Sequence, residues 1–460
     1  MPYLLEEGLF LGIGFGVTDG GDLLAGDAVG NQLLDDLVVG RVCGPNSERN
    51  LVELFQPYAI AMAEASLKGI RFDTCGWDRL QTLAPTYRDR LRAVLKDYGY
   101  DHDGVGIGDL AFVHLIRNLE LESEWPRTPT GKLSTKEDDI KIAATRHSHP
   151  ALEALRKQVA FDGFMGQDIG RLVDLDGRVR CGILPLAQRT GRTSTVAPNL
   201  MGVPGELRPL LLPDESCCFL HFDYSQQEPG VAGYVSGDDT LMSDFATGDV
   251  YVNLGLRLGL INNSMPESEK RRIRNGVLKS LMLAILYGMG VQSISKRLSL
   301  SHRDATVILS NFQRTYPRLF DWLKRFVAAS LERGWAENII GFRAAFNVPV
   351  GFSRGHIARS CQNFPIQSSA AACFQLTGVY LDQFGSDIRL PMHDAYLINV
   401  PDDPQAMADE HQRIASATTF ANNQLFPGLA VKCDVHSLRC FAKDCNEKSL
   451  EALLTSLEAN

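Results

Sequence analysis

Apolar residues recur every three to four positions in the first legible part of the chain. One stripe begins behind Ser47, a residue type that caps helices, and ends before Gly69. Its members are Leu51, Leu54, Tyr58 and Met62. A second stripe has the same period and consists of Trp77, Leu80, Leu83, Tyr87, Leu91, Val94 and Leu95. A period near 3.6 predicts two amphipathic helices, each with one buried face.

The pattern changes from about residue 181 onward. A short apolar run that ends at Asp223 predicts a strand with a carboxylate at its tip. Residues 268–290 predict a long helix, and residues 303–333 predict helix with a break near Pro317. Two alternating runs around Asp394, residues 388–392 and 396–400, predict a hairpin with this acid at its turn. With a closing strand near 431–435, the pattern indicates an α+β fold.

Between these regions, residues 125–137 are rich in Pro, Gly and Thr, which predicts an exposed loop. No internal repeat or low-complexity stretch interrupts the chain.

Composition narrows the class of protein. The chain has 460 residues, of which 45% are hydrophobic and 22% charged, so it is neither a disordered chain nor a coiled coil. No apolar run approaches the ~18 residues of a membrane span. Glu6 and Glu7 stand where a signal peptide is basic, and the ten cysteines form no C-x-x-C pair. We therefore expect a cytoplasmic protein with reduced thiols and no membrane partner. The net charge of −9 argues mildly against a nucleic-acid partner.

Asp223 and Asp394 are the first candidates for chemistry, because each is predicted at the tip of an element. Two converging carboxylates suit hard divalent cations, which clamp the attacking and leaving oxygens of a phosphoryl transfer. The alternative for each acid alone is that it caps a turn.

The long helix supplies a second candidate surface. Lys279, Leu283 and Tyr287 are spaced four apart and share one face, so a cation and an aromatic ring could meet a triphosphate and a base or sugar. Residues 266–279 contain five basic and two acidic residues, among them Arg272 and Arg274. The alternative is a solvated basic face.

At this point five stretches, in order along the chain, carry a resemblance to the family A DNA polymerases. They are Thr190–Leu200 (T-G-R-x-S followed by P-N-L), His221–Glu228 (motif A, D-Y-S-Q-x-E), Lys279–Gly288 (motif B, K-x7-Y-G), Arg359–Gln367 (R-x3-N-x-P-x-Q) and Met392–Asp394 (motif C). The resemblance implies a right-hand polymerase with an antiparallel palm sheet and helical fingers and thumb. It implies an N-terminal remnant over 1–54, a thumb over 55–180, palm over 181–265 and 356–460, and fingers over 266–355.

The resemblance also implies a role for each matching residue. Asp223 and Asp394 would bind two Mg²⁺ ions, with Mn²⁺ as the alternative, and Lys279 would contact phosphate and act as a general acid. Glu228 and Tyr287 would form the pocket that excludes a 2′-hydroxyl. The residues expected to hold the primer–template are Arg192, Asn199, Arg359, Asn363, Gln367 and His393.

Four positions depart from the family's pattern. Motif B has an arginine four residues before the lysine, where this chain has Asn275. Arg274 lies five residues before Lys279, rotated by roughly 140° on an ideal helix, whereas Arg272 lies about two turns away. We expect one of these arginines to supply the phosphate contact, and the geometry favours Arg272. Leu283 replaces an aromatic residue, Ala395 replaces the motif C glutamate and Met201 replaces a polar residue.

The sequence therefore predicts a monomeric, template-directed DNA polymerase that uses dNTPs, without a 3′–5′ proofreading or 5′ nuclease domain. Two alternatives stay open. A single-subunit RNA polymerase shares the palm acids, although Glu228 argues against it. A degenerate polymerase would bind primer–template DNA without extending it.

Overall fold

The computed structural model describes residues 51–128, 130–147, 149–298, 300–346, 354–392, 394–441, 454–455 and 457–458. The predicted helix cap at Ser47, nearly all of the predicted segment 1–54 and His393 lie outside these residues.

Helix dominates the described chain. The α-helices are α1 (Gln56–Lys68), α2 (Thr74–Lys96), α3 (Asp109–Asn118), α4 (Glu137–His147), α5 (Pro150–Met165), α6 (Gln227–Ser236), α7 (Asp239–Ala246), α8 (Val250–Arg257), α9 (Glu267–Ile273), α10 (Lys279–Leu286), α11 (Val291–Leu298), α12 (His302–Thr315), α13 (Pro317–Arg333), α14 (Arg354–Gln383) and α15 (Pro404–Leu425). π-Helical turns occupy Leu51–Phe55 and Arg274–Leu278, and 3₁₀ turns occupy Ile169–Leu172, Leu200–Gly202 and Gly205–Leu210.

The strands are shorter. They are β1 (Ile70–Phe72), β2 (Arg178–Val179), β3 (Gly182–Leu184), β4 (Ser194–Val196), β5 (Leu211–Leu212), β6 (Cys217–Ser225), β7 (Trp335–Glu337), β8 (Arg343–Ala345), β9 (Ile388–Met392), β10 (Ala395–Pro401) and β11 (Lys432–Leu438). With helices and antiparallel strand pairs in one chain, the α+β prediction is confirmed.

The described residues divide into two compact units. The first takes in the described parts of Met1–Leu67, Gly182–Ser194 and Leu220–His436. Its main sheet has the strand order β11-β6-β10-β9, and β9 and β10 form an antiparallel hairpin that pairs Met392 with Ala395. The predicted hairpin is therefore confirmed. Both faces of this hairpin are buried.

Aromatic rings join this sheet to α14. The Phe374 ring of α14 stacks on the Tyr396 ring at 4.0 Å between centroids, and the Phe222 ring of β6 also stacks on Tyr396, at 6.1 Å. Gly378 makes this approach possible, since a Cβ there would lie 2.4 Å from the Tyr396 hydroxyl oxygen. The sheet edge that carries the two acids is thereby fixed against a thirty-residue helix.

The second unit takes in the described parts of Lys68–Cys181, Thr195–Phe219 and Ser437–Asn460. Its three-stranded sheet has the order β2-β1-β5, with β1 antiparallel to both neighbours. Its helices α2 to α5 enclose a core that includes Leu95, Phe112, Leu115, Ile140 and Leu155.

The helical stripes predicted from the sequence are confirmed, with one exception, and the predicted exposed loop needs a correction. Tyr58, Met62, Trp77, Leu80, Leu91 and Leu95 are buried, whereas Val94 is 37% exposed. Within the predicted exposed loop, Trp125 and Leu133 are buried, and the Trp125 indole donates a hydrogen bond to the Ser134 carbonyl at 2.8 Å. The prediction of an exposed loop was wrong for these two residues. The composition of a segment does not show which of its side chains reach the core.

Thiol chemistry follows the prediction at most positions. Seven described cysteines are free, whereas Cys440 is disulfide-bonded, so the expectation of reduced thiols is wrong at Cys440. None of the helices in the described part of the chain is long and apolar enough to cross a membrane.

Candidate active site

The two predicted acids lie next to each other where β6 ends and β10 begins, at one end of the central strands of the main sheet. Asp223 lies near the end of β6, and Asp394 directly precedes β10. The backbone N–H of Tyr224 donates to the Asp394 carbonyl at 3.1 Å, so the two acid-bearing segments are direct neighbours. The sequence separated these residues widely, and strand pairing brings them together.

The surroundings of Asp394 disfavour its charged form. Burial, followed by the charge of Asp223, raises the pKa of Asp394 to about 6, and Glu228 acts in the same direction. Arg192 opposes this shift without cancelling it. A divalent cation bound next to Asp394 would favour its charged form and offset both burial and the repulsion from Asp223.

The number of protein ligands is small. Within the described ranges, no group of three or more His, Cys, Asp or Glu side chains is placed to hold a metal ion. Asp223 and Asp394 could therefore supply two ligand groups, and Mg²⁺ usually completes its shell with water and substrate phosphate.

Glu228 lies beside the acids on the first turn of α6. The chain leaves β6 through Gln226, whose φ of +56° makes the sharp turn into that helix. One Glu228 oxygen accepts a hydrogen bond from Arg192 at 2.6 Å, and the other accepts from the Tyr287 hydroxyl. With 11% of its side chain exposed, Glu228 is fixed in one orientation.

Tyr287, at the C-terminal end of α10, contacts the same Glu228 carboxylate. Burial and the charge of Glu228 raise the pKa of Tyr287, which keeps its hydroxyl protonated and able to donate. Gln367 of α14 also bonds to this hydroxyl. Three residues predicted from separate motifs, Glu228, Tyr287 and Gln367, thus form one network with Arg192.

Helix α10 is anchored to α14 at its C-terminal end. The Gln362 side chain donates to the carbonyls of Ile285 and Leu286 at 3.3 and 3.2 Å. A Cβ on Gly288 would lie 2.9 Å from the Arg359 Cγ, so this close approach needs glycine. On the helix itself Lys279 is exposed and Leu283 is half-buried.

The long helix predicted over 268–290 is not regular throughout, because the chain makes a π-helical turn between Arg274 and Leu278. The Lys279 N–H bonds to the Arg274 carbonyl, five residues back. The preference for Arg272 rested on ideal α-helical geometry and loses its support. Arg272 is 73% exposed and pairs with Glu269 at 2.6 Å.

Arg274, by contrast, is largely buried, with 26% of its side chain exposed. Its guanidinium bonds to Asp249 and lies 5.2 Å from the centre of the Tyr251 ring. Burial is the main cause that raises the pKa of Tyr251, and Glu228 and Asp394 contribute to it, which places this ring within electrostatic range of the acids. Sequence reasoning missed Asp249 and Tyr251, and the only available signal was a helix-capping aspartate before an apolar run.

The remaining predicted DNA contacts occupy different positions. Arg359 is exposed on α14, and the buried Oδ1 atom of Asn363 has no hydrogen-bond partner among the described residues. Asn199 belongs to the second unit, where its Oδ1 atom accepts from the Thr195 hydroxyl at 2.8 Å. His393 lies outside the described residues.

Comparison with known proteins gives a consistent result. The model of DNA polymerase family A matches residues 111–437. The thermostable DNA polymerase I of Thermus filiformis is 25% identical over 401 residues, which are 82% of this chain and 47% of that protein. The DNA polymerase I of Deinococcus radiodurans is 24% identical over 389 residues, 80% of this chain and 39% of that protein. The chain spans about half the length of the curated relatives it matches.

A solved structure shares the fold. It is the polymerase domain of Pol1 from M. smegmatis in complex with DNA primer–template and dNTP. The TM-score is 0.73 at 22% sequence identity, over 90% of this chain and 73% of that chain.

Proposed function

The chain belongs to DNA polymerase family A, and from this premise we propose that it is a template-directed DNA polymerase that adds dNTPs to a primer 3′-hydroxyl. The observation that carries the proposal is the convergence of Asp223 and Asp394 beside the Arg192–Glu228–Tyr287 network. This arrangement combines a place for cations with a rigid pocket wall.

The acids suit a two-metal phosphoryl transfer. Bound by Asp223 and Asp394, a pair of Mg²⁺ or Mn²⁺ ions would lower the pKa of the primer hydroxyl and neutralise charge on the triphosphate. Lys279, exposed at the start of α10, would hold phosphate and protonate the leaving pyrophosphate. Catalysis would then consist mainly of positioning and electrostatic stabilisation.

Glu228 supports the choice of sugar. Two hydrogen bonds hold its carboxylate in place, so it cannot swing away from a 2′-hydroxyl without breaking both. We infer that dNTPs are accepted and ribonucleotides excluded, with Tyr287 and Leu283 shaping the same pocket.

The partners follow from the same proposal. Arg192, Arg359, Asn363, Gln367 and His393 would contact primer–template in the first unit, and Asn199 would do so in the second. The proposed division has a thumb over 55–180, palm over 181–265 and 356–460, and fingers over 266–355. We propose a monomer that works in the cytoplasm, where the free thiols stay reduced.

Extension of a labelled primer tests the proposal. With Mg²⁺ and dNTPs we expect extension along the template, and with NTPs at least about 100-fold less. Asp223→Ala should lower the rate by about 1,000-fold or more, since several kcal/mol of charge stabilisation is lost. The matched control is Asp409→Ala, an exposed carboxylate on α15.

The alternatives predict other outcomes. Preferential use of NTPs would indicate an RNA polymerase. Tight primer–template binding without extension by the unmodified protein would indicate a degenerate, purely DNA-binding protein.

A further inference from the structure

We propose that the π-helical turn Arg274–Leu278 acts as a one-residue insertion that aligns Arg274 with Lys279, and that Arg274 exchanges Asp249 for the triphosphate of the incoming nucleotide. The inference rests on the proposed function. It assigns a positioning role to Asp249 and a conformational role to the π turn.

The alignment follows from the hydrogen bonding of the turn. In an α-helix, residues five apart are rotated by roughly 140°, so Arg274 would point away from the face of Lys279. In the π turn the Lys279 N–H bonds to the carbonyl of Arg274, so five residues complete about one turn. Arg274 and Lys279 then lie above one another, as residues four apart do on a regular helix. Single π turns inside α-helices are frequent at functional sites.

Asp249 holds Arg274 through only one of its two oxygens. Its Oδ1 atom caps α8 by accepting from the backbone N–H groups of Tyr251 and Val252 at 3.0 and 3.1 Å. Its Oδ2 atom bonds to the Arg274 guanidinium. The cap therefore survives when the guanidinium leaves, and the ion pair can open without unravelling α8.

The Asp249 segment is tied to the strand that carries Asp223. The Gln226 side chain donates to the Gly248 carbonyl at 3.0 Å and accepts from the Val250 N–H at 2.8 Å. Gln226 stands between Asp223 and Glu228 in sequence. The partner of Arg274 is thus positioned by the same turn that positions the metal-binding acid and the sugar-facing glutamate.

A cavity of about 510 Å³ opens at this ion pair. Three cations, Lys270, Arg271 and Arg274, line it together with two acids, Asp249 and Glu267. Lys270 is paired with Glu267 at 2.7 Å, as Arg274 is with Asp249. Arg272 does not belong to this lining and faces solvent.

The chemistry of the Arg274 guanidinium favours the exchange of Asp249 for a phosphate. A guanidinium forms two parallel hydrogen bonds with a phosphate as readily as with a carboxylate, and a triphosphate carries more charge than one aspartate. The Tyr251 ring under the guanidinium keeps Arg274 near the cavity after its bond to Asp249 opens. Asp249 thereby competes with the nucleotide and is displaced by it.

Equilibrium binding of dNTP to the protein–primer–template complex, combined with single-turnover extension, tests the exchange. Arg274→Ala should raise the Kd for dNTP by about 10- to 100-fold, the range of a charged hydrogen bond. Asp249→Asn keeps a capping oxygen but loses the competing charge, so the Kd should fall several-fold. Arg325→Ala, an exposed arginine paired with Asp321, is the matched control and should leave the Kd unchanged.

Deletion of Gly276 tests the alignment itself. Gly276 is exposed within the π turn, and no atom lies within 4 Å of the position of a Cβ there. Its removal leaves three residues between Arg274 and Lys279, so that a regular α-helix aligns them. The deletion should therefore keep the dNTP Kd within about threefold, while an alanine inserted after Gly276 should weaken binding as much as Arg274→Ala.

Specific outcomes would overturn the inference. If Arg272→Ala weakens dNTP binding and Arg274→Ala does not, the alignment is refuted; if Asp249→Asn weakens binding, the exchange is refuted. Calorimetric titration with inorganic tripolyphosphate, together with thermal unfolding of every variant, separates lost contacts from lost folding. A normal wild-type extension with an unaffected Arg274→Ala variant contradicts only this inference. Absence of extension by the wild type contradicts the proposed function, and the tripolyphosphate titration still decides the role of Arg274.

Discussion

At the scale of single residues, the site depends on contacts that no motif records. The Glu228 carboxylate uses both oxygens, one for Arg192 and one for Tyr287. All three residues were predicted from the sequence to belong to the site, Arg192 as a contact of DNA and Tyr287 as a contact of the nucleotide. Their mutual bonds could not be predicted, because they join residues 36 and 59 positions apart through side chains alone.

Asp394 offers a stability prediction at this scale. The fold raises the pKa of Asp394 from 3.8 to about 6. Between these two pH values the folded chain therefore keeps a proton that the unfolded chain has released. This stabilising contribution is present below pH 4 and is lost as the pH rises from about 4 to 6. In EDTA, Asp394→Asn should therefore be more stable than wild type at pH 7.5 by up to about 3 kcal/mol, while losing extension activity.

Urea unfolding at pH 4 and pH 7.5 measures the difference. The gain should shrink towards pH 4, where both Asp394 and its replacement are neutral. Asp409→Asn, on an exposed part of α15, serves as the control. An equal gain at both pH values would show that the stabilisation is unrelated to ionisation.

At the scale of elements, periodic patterns predicted well and irregular ones did not. The stripes in α1 and α2 and the strand that ends near Asp223 were found because burial on one face imposes a period. The π turn at Arg274 was missed, because one additional residue leaves the apolar pattern on both sides intact. The buried Trp125 was missed because its environment depends on α3, whose Phe112 ring lies 5.5 Å away.

A buried ion pair in the second unit allows a test of how a loop is held. Asp162 of α5, with 4% of its side chain exposed, bonds to Arg88 of α2 at 2.6 Å and accepts from the Gly106 N–H at 3.2 Å. Asp162→Ala leaves a largely buried guanidinium without its partner and should lower the free energy of unfolding by about 3–5 kcal/mol.

Urea unfolding and amide hydrogen exchange of residues 101–108 would measure this loss. The control is Glu458→Ala, which removes an exposed bridge to Arg79 and should cost less than about 1 kcal/mol. A loss at Asp162 no larger than at Glu458 would mean that the buried pair contributes nothing beyond a surface bridge.

At the scale of the whole molecule, net charge is weak evidence about a nucleic-acid partner. The sum of −9 argues against DNA, yet part of it consists of acids that suit metal ions, and the cations Lys279 and Arg359 are exposed on α10 and α14. Affinity for a duplex depends on how many phosphates are neutralised locally, and more distant charges are screened within about 8 Å at physiological salt.

The salt dependence of primer–template binding distinguishes local from summed charge. If Arg359 neutralises one phosphate, Arg359→Ala should reduce the slope of log K against log[salt] by about 0.9, because one fewer counterion is released. Arg325→Ala changes the net charge equally but removes an arginine already paired with Asp321, so its slope should match wild type. Fluorescence anisotropy between 50 and about 300 mM salt measures both slopes. Equal slopes for the two variants would mean that the partner responds to the total charge of the chain and that Arg359 makes no phosphate contact.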